Sequence, residues 1–222
     1  MRSCFVTATG TDIGKTFCTA GLLRARPGLR GIKPLLSGYV SGEMSDSSLL
    51  LEAMGQEASE ATINAITPWR YKAPLSPDMA AAREGQVIDY DNLLAFCRSE
   101  LAKAPDGLLI EGAGGAAVPL TDTKLTADWI KDLALPVLLV SGTYLGSISH
   151  CITTAEFLLK RGVVVQAVLL NESLTAPVPT SETKAALERY LPCPVLPVRR
   201  HAKESDFSAL WKQLTNEDWS PK

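Results

Sequence analysis

The chain has 222 residues, 46% hydrophobic, 21% charged and 6% aromatic, which excludes a disordered, collagen-like or coiled-coil protein and supplies enough apolar side chains for a sizeable core. With 22 basic against 24 acidic residues the net charge is -2, so no overall field would hold the chain on nucleic acid or an anionic membrane; an anionic ligand has to be held locally. The five cysteines (Cys4, Cys18, Cys97, Cys151, Cys193) form no C-x-x-C pair, and neither a signal-peptide core nor a run of about 18 apolar residues appears, which points to a reducing, cytoplasmic setting.

Taken in order, short apolar runs alternate with longer amphipathic stretches. Cys4 to Val6 precedes a helical pattern after Lys15, and Gly31-Ile32 precedes a possible helix from Asp46. The stretch Ile66 to Ala82, with Pro68, Pro74 and Pro77, reads as an irregular excursion within one domain over residues 1–222. Leu108 to Ile110 then precedes a helix around Asp128 to Leu133, Val137 to Val140 a helix from Ser147 to Arg161, and Val163 to Leu170 a helix from Ser181 to Tyr190. Residues Asn216 to Lys222 are expected to fray. Apolar runs without period-2 alternation need burial on both faces, so the fold class is α/β, a mainly parallel sheet with helices on both faces. In such a sheet ligands sit beyond the carboxyl ends of the strands. Four runs end there in polar residues: Val6 in Thr7, Ile32 in Lys33, Ile110 in Glu111 and Leu170 in Asn171.

The segment Ala8-Thr9-Gly10-Thr11-Asp12-Ile13-Gly14-Lys15-Thr16 follows an apolar strand and opens a helix, the setting of a phosphate-binding loop. Backbone N–H groups converge on an anion there, Lys15 adds a point charge, and the Thr16 hydroxyl is placed for Mg2+. A lysine in the first turn opposes the helix macrodipole unless an anion compensates it. Thr9 stands where the usual pattern has glycine. Glu111, at a strand end and followed by Gly112-Ala113-Gly114-Gly115, offers the carboxylate that a hard cation combines with phosphate oxygens. Pro34 biases Lys33 toward extended backbone, which sets its ammonium at the ligand edge, where it can neutralise a transferring phosphoryl group. On local pattern Asp46 reads first as part of a helix cap, by Ser45 or by Asp46 itself. The two histidines, His150 and His201, are too few for a histidine-based metal site or triad, and His150 by itself reads as structural. The four tryptophans show no stacking pattern interleaved with basic residues.

Together, Thr11 to Thr16, Gly31-Ile32-Lys33-Pro34-Leu35-Leu36-Ser37-Gly38, Ser45-Asp46, Glu111 to Gly115, Thr126 to Trp129, Leu145 to His150 and Asn171 resemble the dethiobiotin synthetase family in order along nearly the whole chain. The resemblance implies an ATP-dependent cyclo-ligase that converts 7,8-diaminononanoate and CO2 into dethiobiotin through a carbamate and its phosphorylated form. It implies ATP held by Asp12, Ile13, Gly14, Lys15, Thr16 and Phe17, with Asp46 and the segment Glu111, Gly112, Ala113 and Gly114, and adenine read by Asn171 with Pro197, Val198, Arg199 and Glu204. It also implies Mg2+ on Thr16, Asp46 and Glu111, catalysis by Lys15 and Lys33, and substrate contacts from Thr11 and Ser37. A homodimer is implied too, the substrate carboxylate meeting the helix start near Ser147 to His150 of the partner subunit. Small-molecule substrates, and neither nucleic acid nor membrane, are the expected partners.

The chain departs from the family pattern at Ala8, Gly10, Asp78 and Ser149, none of which removes a charge that the reaction needs. The rival reading is a partitioning-type P-loop ATPase switch. Such proteins carry a signature lysine where Gly10 stands, and the acidic pair Glu217-Asp218 before Trp219 would weaken attraction to anionic lipid.

Overall fold

A computed structural model describes residues 3–215. The expected fraying of Asn216 to Lys222, and the tail argument from Glu217 to Trp219, lie outside the described residues. In chain order the elements are β1 (Cys4–Ala8), α1 (Lys15–Arg24), β2 (Arg30–Ile32), β3 (Leu35–Ser37), α2 (Asp46–Ala53), α3 (Glu60–Ile66), β4 (Trp69–Tyr71), α4 (Pro77–Arg83) and α5 (Tyr90–Ala102). They continue with β5 (Leu108–Glu111), α6 (Thr126–Leu133), β6 (Val137–Gly142), α7 (Ser147–Leu159), β7 (Val165–Asn171), α8 (Thr180–Glu188), β8 (Val195–Val198) and α9 (Glu204–Thr215).

Six strands form one parallel sheet in the order β2-β5-β1-β6-β7-β8. Every residue of β1, β5 and β6 is buried, as continuous apolar runs covered on both faces require. Strand order reverses at β1: the chain first builds toward β5 and β2, then toward β6 to β8. That reversal opens a crevice at the carboxyl end of β1. The core beneath includes Phe5 and Trp129, edge to face at 4.8 Å and 83°.

Register decides which polar residues meet at the rim. Ile32 of β2 lies opposite Ile110 of β5, and Val6 of β1 opposite Glu111, so the residue after β2, Lys33, arrives beside Glu111. Gly142 lies opposite Asn171, and Asn171 opposite Val198, which brings the ends of β6, β7 and β8 together.

The excursion over Ile66 to Ala82 is more ordered than its prolines suggest. β3 and β4 pair in parallel as a second, two-stranded sheet, and α4 begins at Pro77, where the missing N–H has no intrahelical partner to lose. After Lys33 the chain therefore passes from the large sheet to the small one, with Trp69 N–H donating to Pro34 O at 3.1 Å. α5, which no expectation covered, starts at the N-cap Asp89, whose carboxylate accepts from Asn92 N–H at 2.9 Å. β8 and α9 were likewise not read from the sequence.

Helix α1 lies against α9 at Gly21. A Cβ there would sit 2.3 Å from Phe207 Cε2 and Cζ. Gly21→Ala should force Phe207 aside and destabilise the protein by about 1–3 kcal/mol. Calorimetry should show the melting temperature falling by about 2–4 °C per kcal/mol.

Candidate functional site

The loop between β1 and α1 turns twice through left-handed backbone, at Asp12 (φ 57°) and Gly14 (φ 98°). Gly14 is the N-cap of α1 and offers no side-chain acceptor, and the first turn holds no acid, so the first N–H groups of α1 face the crevice uncapped. Lys15 folds back, its ammonium donating to Gly10 O at 3.2 Å. Burial first, and then the neighbouring Lys33 charge, push the Lys15 ammonium down to about 8.

Lys33 is 2% exposed. Its ammonium contacts Glu111 Oε1 and Asp46 Oδ2, both at 2.8 Å, and Gly112 O at 3.4 Å. Burial by itself would lower the Lys33 pKa, but the carboxylates of Glu111 and Asp46 outweigh it and hold the ammonium above its ordinary value. Burial would likewise raise Asp46, and the Lys33 charge and hydrogen bond bring it below the usual carboxylate range. Glu111 is fully buried; its Oε1 also accepts from the Thr16 hydroxyl at 2.7 Å, whereas its Oε2 has no hydrogen-bond partner.

The split reading of Asp46 resolves locally. Ser45 is the N-cap of α2 and exchanges bonds with Ser48 in a capping box, which leaves the Asp46 side chain free to reach Lys33.

Apart from Glu111, which lies fully buried behind them, the charged groups of this cluster border a cleft of about 850 Å3. Thr11, Asp12, Gly14, Lys15, Thr16, Lys33, Ser37, Asp46, Ala113 and Gly114 all border it. The Ser37 hydroxyl, buried without a partner, is also there. Val118, Leu36 and the turn Pro74 to Pro77 add an apolar wall that sequence reading missed, because two prolines in irregular sequence gave no sign of facing a site. One hydroxyl and two carboxylates, one with an orphaned oxygen, suit a hard divalent cation that draws its remaining ligands from phosphate and water. Among the described residues no group of three or more His, Cys, Asp or Glu could hold a metal by itself, so the phosphates would have to share the work.

A second hollow of about 270 Å3 is lined by Phe17, Asn171, Glu172, Arg200 and His201. Asn171 Nδ2 donates to Ile13 O at 2.9 Å, and this orients the amide; Asn171 Oδ1 is buried and unpartnered. Glu172 accepts from Arg200 N–H at 3.1 Å, linking the end of β7 to the loop after β8. Glu172, Arg200 and His201 were missed because nothing in local sequence announces the meeting of two strand ends. Pro197 and Val198 lie in β8, Arg199 follows it, and Glu204 opens α9; none of the four lines either hollow, nor do Ile13 and Gly112, which take part through their carbonyls. His150 is exposed on α7, its Nδ1 paired with the Tyr144 hydroxyl at 2.8 Å, and Gly146 starts that helix in left-handed backbone with no side-chain cap.

Comparison with known proteins places this geometry. A family model described as an AAA domain matches residues 2–198. The sequence is 44% identical over 198 residues to the ATP-dependent dethiobiotin synthetase BioD of Acidiphilium cryptum, covering 86% of this chain and 89% of that protein. It is 43% identical over 212 residues to the enzyme of the same name from Methylobacterium nodulans, covering 90% and 94%. Among solved structures it is similar to the MinC:MinD cell division protein complex of Aquifex aeolicus (TM-score 0.53, 14% identity, 94% of this chain and 85% of that one). HypB from Helicobacter pylori in complex with nickel gives a TM-score of 0.52 at 11% identity, covering 100% and 91%. These two likenesses establish the P-loop NTPase fold and nothing finer.

Gly14 tests how the loop and the second hollow are joined. A Cβ there would lie 2.2 Å from Asn171 Nδ2, in backbone that L side chains rarely adopt. Gly14→Ala should therefore cost about 1–3 kcal/mol in strain and displace Asn171. Calorimetric titration should show nucleotide affinity falling by at least about tenfold.

Proposed function

The chain belongs to the dethiobiotin synthetase family and is an ATP-dependent ligase of biotin biosynthesis, and from that premise we propose how its residues divide the work. Residues 1–222 act as one catalytic unit. The observation that carries the reading is the meeting of Lys33, Asp46 and Glu111 beside the loop of Lys15 and Thr16.

One amine of 7,8-diaminononanoate takes up CO2 as a carbamate, whose oxygen attacks the terminal phosphoryl group of ATP. The second amine then closes the ureido ring and expels phosphate. An anion must approach an anion, so the site needs cations on both, and most of the rate comes from positioning and charge. Lys15 and the N–H groups from Asp12 to Phe17 hold the phosphates. Thr11, Lys33 and Ser37 meet the carbamate, and the orphaned Ser37 hydroxyl supports that role. Thr16, Asp46 and Glu111 would hold Mg2+, which when bound supplies further charge neutralisation at the phosphates. Glu111, Gly112, Ala113 and Gly114 form the facing wall.

Adenine lies against Asn171, with Pro197, Val198, Arg199 and Glu204 around it. The free Asn171 Oδ1 is an acceptor, which suits an amino group on a base edge. The enzyme works in the cytoplasm as a homodimer, the uncapped start of α7 near Ser147 to His150 of the partner subunit receiving the substrate carboxylate. No described helix is long and apolar enough to cross a membrane. The partitioning-type switch shares the fold, but its solved relatives stand at 11–14% identity, against 43–44% for the two synthetases compared above.

With 18O-labelled bicarbonate, each turnover should leave one labelled oxygen in the released phosphate, read by mass spectrometry. Unlabelled phosphate would contradict attack by a carbamate. Lys33→Ala should slow the chemical step by about 100-fold, or about 3 kcal/mol, while changing ATP affinity far less. Single-turnover rates and equilibrium binding separate the two, and equal losses in both would count against a role in the transition state.

A further inference from the structure

An ammonium group has three N–H donors. Lys33 faces three protein acceptors, Glu111 Oε1 and Asp46 Oδ2 at 2.8 Å and Gly112 O at 3.4 Å. Hydrogen bonds to Glu111 Oε1 and Gly112 O and the ion pair with Asp46 engage the ammonium with the protein, so phosphoryl or carbamate oxygens would have to displace part of this set. Two of the three acceptors belong to the carboxylates assigned above to the metal. A divalent ion and an ammonium repel one another, so they cannot both take these oxygens at full strength.

The burial of this cluster explains why a cation must be there at all times. Glu111 is fully buried, and a buried carboxylate is tolerated only when a counter-charge and hydrogen bonds compensate its lost hydration. Besides Lys33, Glu111 receives a bond from the Thr16 hydroxyl, which carries no charge. Lysine is suited to a replaceable counter-ion, being a point charge on a flexible four-carbon stem without the fixed fork of arginine.

We propose that Lys33 is a placeholder for the divalent cation. Before ligands arrive it neutralises Asp46 and Glu111 in the metal's stead. It leaves their oxygens for the phosphoryl and carbamate oxygens only as the metal takes the carboxylates, so metal binding and delivery of Lys33 are one coupled event. Coupling of this kind is reciprocal: whatever anion accepts Lys33 strengthens metal binding, and the metal strengthens binding of that anion. The placeholder role rests on the assignment of Asp46 and Glu111 as metal ligands and deepens it.

The test uses Mn2+ alone, titrated into nucleotide-free protein and followed by electron paramagnetic resonance and calorimetry. Lys33→Gln keeps a hydrogen-bond donor toward Glu111, and Lys33→Met removes it; circular dichroism checks that each is folded, so the result does not depend on one variant. Both should bind Mn2+ at least about tenfold more tightly than wild type, because the competing ammonium is gone. Wild type binding Mn2+ as tightly as the variants would overturn the placeholder while leaving the metal site standing. Adding Asp46→Asn to Lys33→Gln should abolish the gain. A gain that survives it would instead overturn the assignment of the metal ligands beneath the proposal.

Discussion

A single buried ammonium holds this site together. Lys33 stands between Glu111, at the end of β5, and Asp46, at the start of α2, and thereby ties the edge of the large sheet to the first helix after β3. Removing a partner from such a cluster leaves an uncompensated buried charge, which costs far more than a surface ion pair contributes. The cluster exists because β2 and β5 are neighbours in a register that sets Ile32 opposite Ile110, so that the next residue on each strand meets the other. It faces the loop of Lys15 because β1 lies on the other side of β5.

The rest of the site follows from how loops leave that sheet. Gly14 permits a left-handed turn into an uncapped helix, and Asn171 comes close enough to bond Ile13 O because no Cβ stands in its way. One residue thus links the loop before α1 to the hollow at the ends of β7 and β8 across the switch point of the sheet. The short β3 and β4 serve the opposite side of the cleft. They set Ser37 and the Pro74 to Pro77 wall on the same cleft as Lys33.

What the sequence shows plainly is what neighbouring residues determine. β1, the phosphate loop and α1 lie in one run of residues, and Lys33, Glu111 and Asn171 each end an apolar strand, so chain order alone marks them. Asp46 is different. Its local pattern reads first as a helix cap, and only the capping box between Ser45 and Ser48, together with Lys33 across the loop, gives it another partner. Three-residue strands such as β3 and β4 leave too short an apolar period to read, and prolines around them look like loop signals. Glu172, Arg200 and His201 meet through the pairing of β7 with β8, a contact between distant segments that no spacing reveals.

Two lysines share this crevice under opposite electrostatic conditions, and observing their protons directly tests the account. Side-chain nitrogen NMR of the nucleotide-free enzyme, with lysine labelled by 15N and signals assigned by substitution, follows each ammonium across pH. Lys15, pressed by burial and by its cationic neighbour, should lose its proton near pH 8, whereas Lys33, buried but held by two carboxylates, should stay charged past the ordinary lysine value of 10.5. Lys33 deprotonating at or below the pH at which Lys15 does would mean that the carboxylates do not hold it, and the arrangement on which the chemistry depends would be wrong.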